Sequence, residues 1–198
     1  MMPPLPATGN SPVAEMVRRK LTDLELKQAR PALDEVNNRP RLPICAILEN
    51  IRSAYNVGSM FRTADALHLG NLYLCGYSAF PPHKMITKTA LGAEHTMPWE
   101  KHAEAAQLAR GLQDGGMQLV VLEQTTDAVD FWEAPLKFPV CFVVGNEVTG
   151  VSDELVALAD LCLELPMAGI KQSLNVATAF GVLGYELARR RREGTGSS

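Results

Sequence analysis

The feature that most constrains this chain is the repeated alternation of short apolar runs with longer amphipathic stretches between residues 43 and 192. Strand-like runs occupy 43–48, 71–76, 117–122, 138–144 and 161–165, and helical periodicity occupies 57–68, 101–113, 152–159 and 173–192. Strands separated by helices are joined by crossovers rather than hairpins, so the pattern predicts an α/β fold: a mostly parallel sheet with helices on both faces. In such sheets ligands bind beyond the C-terminal ends of the strands, so the loops after the apolar runs are where chemistry is expected.

The 198 residues suffice for one domain, and 46% hydrophobic with 21% charged residues fits a chain that folds. Residues 1–12, rich in Pro, Gly, Ser and Thr, and residues 194–198 are expected to be loose arms. From Val13 to about Ala29 the apolar spacing predicts a basic helix that Pro31 stops or kinks. The expected organisation is therefore an arm and helix over 1–42, the main domain over 43–193 and a tail over 194–198. No apolar run approaches the roughly 18 residues of a membrane span, and prolines stand where a signal peptide would be apolar, so a cytoplasmic protein is expected. Cys45, Cys75, Cys141 and Cys162 each lie in a strand-like run without a Cys-x-x-Cys pair, which predicts reduced core residues. His68, His83, His95 and His102 are scattered, so no metal site is expected.

The net charge of −3 looks wrong for a nucleic-acid binder, but the charge is segregated. Residues 43–185 hold 8 Lys/Arg against 15 Asp/Glu, whereas the two ends together hold 11 against 7. The run Arg189-Arg190-Arg191-Arg192 could meet phosphates or simply form a solvated helix end.

Three loops carry polar residues in patterns that suit a ligand site. In the first, Asn56 has the position of a helix N-cap, Gly58 admits a close neighbour to the first turn, and Arg62 follows six residues on. In the second, Gly145-Asn146-Glu147-Val148-Thr149-Gly150 ends a fully apolar run, and Glu147 is placed to meet a donor or orient a base. In the third, residues 165–176 run straight into the last helix. Ser173 and Asn175 there read either as caps or as site residues, and Asn175 is expected to be partly buried.

Taken together, the three loops resemble the SpoU (TrmH) family of SPOUT methyltransferases. The motifs are Asn56-Val57-Gly58-Ser59-Met60-Phe61-Arg62-Thr63, then Gly145 to Gly150, then Pro166-Met167 through Gly169 to Ser173-Leu174-Asn175-Val176. The stretch Lys88 to Glu94 is similar to the family's connecting loop, and the likeness spans 43–190. The resemblance implies a parallel sheet whose C-terminal part forms a deep trefoil knot, an exception to the rule that chains are unknotted. It implies a homodimer through the C-terminal helix, and S-adenosylmethionine held by Leu122, Gly145, Asn146, Glu147, Leu165, Met167, Ser173 and Leu174. The implied reaction is methylation of a ribose 2′-hydroxyl of RNA. Arg62 is the implied catalytic residue, Asn56 and Glu147 help place it and the substrate, and Ser173 and Asn175 complete the pocket.

A guanidinium with a pKa above about 12 is a poor base. Arg62 is therefore expected either to fix a substrate phosphate that assists proton removal or to stabilise the developing alkoxide, and the first is favoured. The short terminal extensions resemble those of tRNA guanosine enzymes, and the run Val121-Leu122-Glu123-Gln124-Thr125 is similar to eukaryotic relatives acting on tRNA, which together rank tRNA above rRNA. The rival readings are a catalytically idle RNA-binding protein on the same scaffold and a dinucleotide-binding dehydrogenase. The latter lacks the Gly-x-Gly-x-x-Gly it would need after a strand.

Overall fold

The computed structural model describes residues 18–29 and 31–194. The contacts divide the chain into two units at Arg39/Pro40. In the first, α1 (Asp23–Gln28) is followed by α2 (Leu33–Asn38). Thr22 begins α1 through a capping box: its hydroxyl accepts from the Glu25 N–H while its own N–H donates to the Glu25 carboxylate. The single helix expected from Val13 to Ala29 is thereby corrected. Residues 18–22 are not helical, and 13–17 lie outside the described residues. The helix does end before Pro31, whose ring disfavours helical geometry in its predecessor. The expected arm at 1–12 also lies outside the described residues, as do 195–198 of the expected tail, but Gly194 closes the last helix.

The second unit is a seven-stranded sheet. Its strands are β1 (Leu42–Glu49), β2 (Leu69–Cys75), β3 (Trp99–His102), β4 (Gln118–Leu122), β5 (Val129–Asp130), β6 (Val140–Val144) and β7 (Leu161–Glu164). They lie in the order β3-β2-β1-β6-β4-β7-β5, and every pairing is parallel. The helices of this unit are α3 (Ala54–Leu67), α4 (Lys84–Ala90), α5 (Ala105–Asp114), α6 (Asp153–Leu158) and α7 (Val176–Gly194). No helix of the described residues is long and apolar enough to cross a membrane.

Alternate side chains of the central strands feed two cores. Ile44, Ala46 and Leu48 of β1 and Phe142 of β6 pack with Phe61 of α3, Ile86 of α4 and Phe180 and Leu183 of α7. Cys45, Ile47, Cys141 and Val143 face the other way, toward Ala109 of α5 and Leu155 of α6. Burial on both faces is why β1 and β6 are continuous apolar runs. Phe142 and Phe180 meet at 5.0 Å between centroids, and each fully buried ring contributes about 1.5–3 kcal/mol. All four cysteines lie in strands of the sheet and are buried and unbridged. Burial pushes the Cys75 thiol up to about 12.

Three expectations are corrected. The segment expected to be helical from 101 instead begins with β3, an edge strand whose exposed Glu100 and Lys101 hide it from an apolar-run criterion. The two-residue β5 is too short for any periodicity. The stretch Lys88 to Glu94, expected to be a loop, is the end of α4 and the start of a 3-10 turn at Ala93–His95. Gly58 admits that helix, since a Cβ there would collide with the Ile86 carbonyl and Thr89 hydroxyl of α4.

Candidate active site

The C-terminal ends of β1, β6, β4 and β7 are neighbours in the sheet, so the loops after them share one rim. After β1 the chain turns into α3, and Ser53 caps this helix: its hydroxyl accepts the Asn56 N–H at 3.3 Å. Asn56, expected at the cap, is the third helical residue instead. A helix rotates about 100° per residue, so Arg62 lies roughly 120° around the helix from it.

Glu147, in the loop after β6, reaches across to this helix start. Its carboxylate accepts from the backbone N–H of Arg52 at 2.9 Å and of Ser53 at 3.1 Å, and from the Asn56 amide at 2.8 Å. Partial burial works to raise its pKa, but the bonds from Arg52, Asn56, its own N–H and Ser53 outweigh that and hold the carboxyl below its ordinary value. The carboxylate expected to await a donor is therefore already occupied by donors of its own chain. Asn175 extends the link: its amide donates to the Asn56 side-chain oxygen at 3.3 Å, while its own oxygen accepts the Ala177 and Thr178 N–H groups. Asn175 thus both caps α7 and bonds to Asn56, and it is exposed rather than partly buried.

Loop 145–150 is internally braced. Asn146, nearly buried, exchanges backbone bonds with Gly150, and its side-chain oxygen accepts the Val148 and Thr149 N–H groups. Its amide donates to the Asn50 carbonyl and the Tyr77 hydroxyl. A Cβ on Gly145 would collide with the Gly150 backbone, so only glycine closes this turn. Glu123, just past β4, accepts the Val151 N–H at 2.9 Å.

These loops border a cavity of about 380 Å³. All eight residues expected around the cofactor line it: Leu122, Gly145, Asn146, Glu147, Leu165, Met167, Ser173 and Leu174. Asn146 contributes little beyond its backbone, because its side chain is spent on bracing the loop. Of the residues expected to be catalytic, Asn56, Glu147 and Asn175 form the hydrogen-bonded link, and Ser173 lines the cavity. Arg62 is exposed and does not line the cavity; among the described residues no hydrogen bond joins it to Asn56 or Glu147. Asn56 and Glu147 hold each other, not Arg62. Sequence reading missed the Arg52 and Ser53 N–H groups, Glu123, and Gln124, whose amide donates to the Gln172 carbonyl at 2.7 Å. Glu123 and Gln124 enter the sequence reading within the run 121–125 but not as site residues; the signal that could have marked them is their place directly at the end of an apolar strand.

The model of the SpoU rRNA methylase family matches residues 43–185, which contain all three loops. The chain belongs to this SpoU family. It is 32% identical to the tRNA (guanosine(18)-2′-O)-methyltransferase of Escherichia coli strain K12 over 156 residues, covering 78% of this chain but only 66% of that enzyme. Among solved SpoU structures, the A. aeolicus TrmH/SpoU tRNA modifying enzyme superposes with a TM-score of 0.74 at 32% identity, covering 83% of this chain and 82% of that one. The SpoU methyltransferase AviRb from Streptomyces viridochromogenes, solved in complex with the cofactor AdoMet, gives a TM-score of 0.69 at 25% identity, covering 82% of this chain and 65% of that one.

The arginine run lies on α7, beyond the stretch the family model matches. Arg189 pairs with Glu186 and Glu193. Arg190 pairs with Glu186 and donates to the carbonyls of Phe131, Trp132 and Ala134. Arg191 lies 6.0 Å from the Phe138 ring centroid. Of the two readings left open for this run, phosphate contact or a solvated helix end, Arg189 fits the helix end through pairs within α7, while Arg190 and Arg191 reach outside the helix to residues 131–138.

Proposed function

We propose that this chain transfers a methyl group from S-adenosylmethionine to a ribose 2′-hydroxyl of RNA, with tRNA ranked above rRNA. The observation that carries the reading is the Glu147–Asn56–Asn175 link, which ties together all three motif loops at the edge of one cavity. The cavity suits the cofactor. Its volume falls in the range of small-molecule sites, and it combines apolar walls from Leu122, Leu165, Met167 and Leu174 with polar groups at Ser173 and Gln172. When bound there, S-adenosylmethionine supplies an activated methyl on a sulfonium.

The chain's own residues do the positioning. Glu147 freezes the start of α3, Asn56 passes that constraint to Asn175, and Asn175 fixes where α7 begins relative to the cavity. Arg62, exposed and not drawn into this link, keeps its five donors for the substrate. A bidentate grip on an RNA phosphate beside the reacting hydroxyl would let that phosphate assist proton removal, which a guanidinium cannot do itself. The main domain is taken as residues 43–193, with a trefoil knot at its C-terminal end and a homodimer formed through α7. Val182 and Tyr185 are exposed on α7, as such an interface requires.

The test is to incubate the protein with methyl-labelled S-adenosylmethionine and total RNA and to map the modified nucleotide. Label on a ribose 2′-oxygen of tRNA supports the proposal. Cofactor binding with no label in any RNA contradicts it and favours the idle RNA-binding scaffold.

A further inference from the structure

We propose that Tyr77 is a rigid stacking platform for an unpaired base of the substrate RNA, an inference that rests on the methyltransferase reading and extends it to substrate recognition. Tyr77 sits in the turn after β2, and its residue is 63% exposed. Large exposed side chains are normally free to move, but this turn is pinned on every side. The Tyr77 N–H donates to the Asn50 side-chain oxygen, and its hydroxyl accepts from Asn146 in the cavity loop. The buried Ser78 hydroxyl donates to the Leu48 carbonyl and accepts the Ile51 N–H, both at 2.8 Å. The Lys101 ammonium donates to the carbonyls of Gly76 and Ser78 on either side of the tyrosine, and lies 5.2 Å from the exposed Phe80 ring.

A structural role alone does not account for this arrangement. Asn146 already donates to the Asn50 carbonyl at 2.9 Å, so the phenol adds a second acceptor and leaves most of the ring to solvent. An aromatic face held in one orientation costs little to order on binding, and every base has a π-face to lay on it. The charge around it fits a polyanion. Of the eight basic residues in 43–185, five (Arg52, Arg62, Lys84, Lys88 and Lys101) fall between 52 and 101, against three acids there: the buried Glu94, the half-buried Asp65, which accepts from the Thr96 hydroxyl, and the exposed Glu100, which accepts from the Asn71 amide. A positive, aromatic region in an otherwise acidic domain suits single-stranded RNA, whose recognition rests on stacking and phosphate contacts. The hydroxyl contact with Asn146, next to Glu147, joins the platform directly to the loop that lines the cavity.

The experiment uses the full-length protein and unfractionated tRNA, with binding measured in the presence of S-adenosylhomocysteine and turnover with S-adenosylmethionine. Tyr77→Leu, which removes the ring, is expected to raise the tRNA Kd and KM about tenfold or more while the cofactor Kd stays within about twofold. The slope of affinity against salt should remain that of the wild type, since stacking releases no counterions. Tyr77→Phe and Tyr77→Trp, which keep a ring, should recover most of the lost affinity. Unchanged tRNA affinity in Tyr77→Leu overturns the proposal, as does an equal loss in the Leu and Phe variants accompanied by weakened cofactor binding, because the residue would then be only a prop of the cavity loop. A wild type that binds tRNA without methylating it would count against the enzyme reading, while the Leu-to-wild-type comparison would still decide the platform.

Discussion

Two loops border the same cavity and are built in opposite ways. Residues 145–150 are held by their own β-bridge, by the Asn146 side chain, and by the three donors on Glu147. Residues 166–174 are exposed except for the half-buried Met167, and among the described residues their only hydrogen bond is from Gln124 to the Gln172 carbonyl. The difference teaches a division of labour. The first loop is finished before any ligand arrives and sets the geometry of α3; the second has few bonds of its own and is free to gain them from what it binds.

The strongest way to break this contrast is Glu147→Ala. Three donors lose their acceptor at once, so methyl transfer is expected to fall about 100-fold, and urea unfolding to show a loss of about 1–3 kcal/mol. Cofactor affinity should change far less, because the 166–174 loop is untouched. The same carboxylate gives a pH signature. Its folded pKa is depressed, so its contribution to stability is complete above its ordinary value near ~4.3 and is lost as pH falls through the folded value. The stability gap between wild type and Glu147→Gln should therefore be flat from neutral pH to about 5 and close below about 4, as read by denaturation at stepped pH.

Gly145→Ala comes next. Its Cβ would press on the backbone of Gly150 and Val151, which cannot rotate away, so a loss of about 1–3 kcal/mol is expected in thermal or urea unfolding. Gln124→Ala probes the other loop. Removing the one hydrogen bond that loop receives among the described residues should weaken S-adenosylmethionine binding roughly three- to tenfold by calorimetry while leaving stability nearly unchanged. Smallest of all is Gly169→Ala. Nothing lies within 4 Å of an added Cβ, so stability should stay within about 0.5 kcal/mol of wild type.

The same contrast explains what the sequence could disclose. β1 and β6 announce themselves because both their faces are buried, and Glu147 draws notice as a lone acid between glycines at the end of β6. Its actual partners are the N–H groups of Arg52 and Ser53, ordinary backbone nearly a hundred residues away, which carry no side-chain signal. Asn56 was misplaced at the cap because Ser53 three residues earlier is an equally good one. Arg190 belongs to a run that reads as a phosphate contact or a solvated helix end, yet besides Glu186 of its own helix its partners are carbonyls at 131–134 that no pattern in the chain advertises. Motif residues were legible; which groups they spend themselves on was decided by tertiary contacts.

The division between the loops is tested most directly by amide hydrogen exchange of the full-length protein with and without S-adenosylmethionine. Residues 145–150 should be protected before the cofactor is added and change little, while residues 166–175 should exchange quickly alone and slow markedly on binding. Equal gains in both loops, or fast exchange in 145–150 without cofactor, would contradict the account.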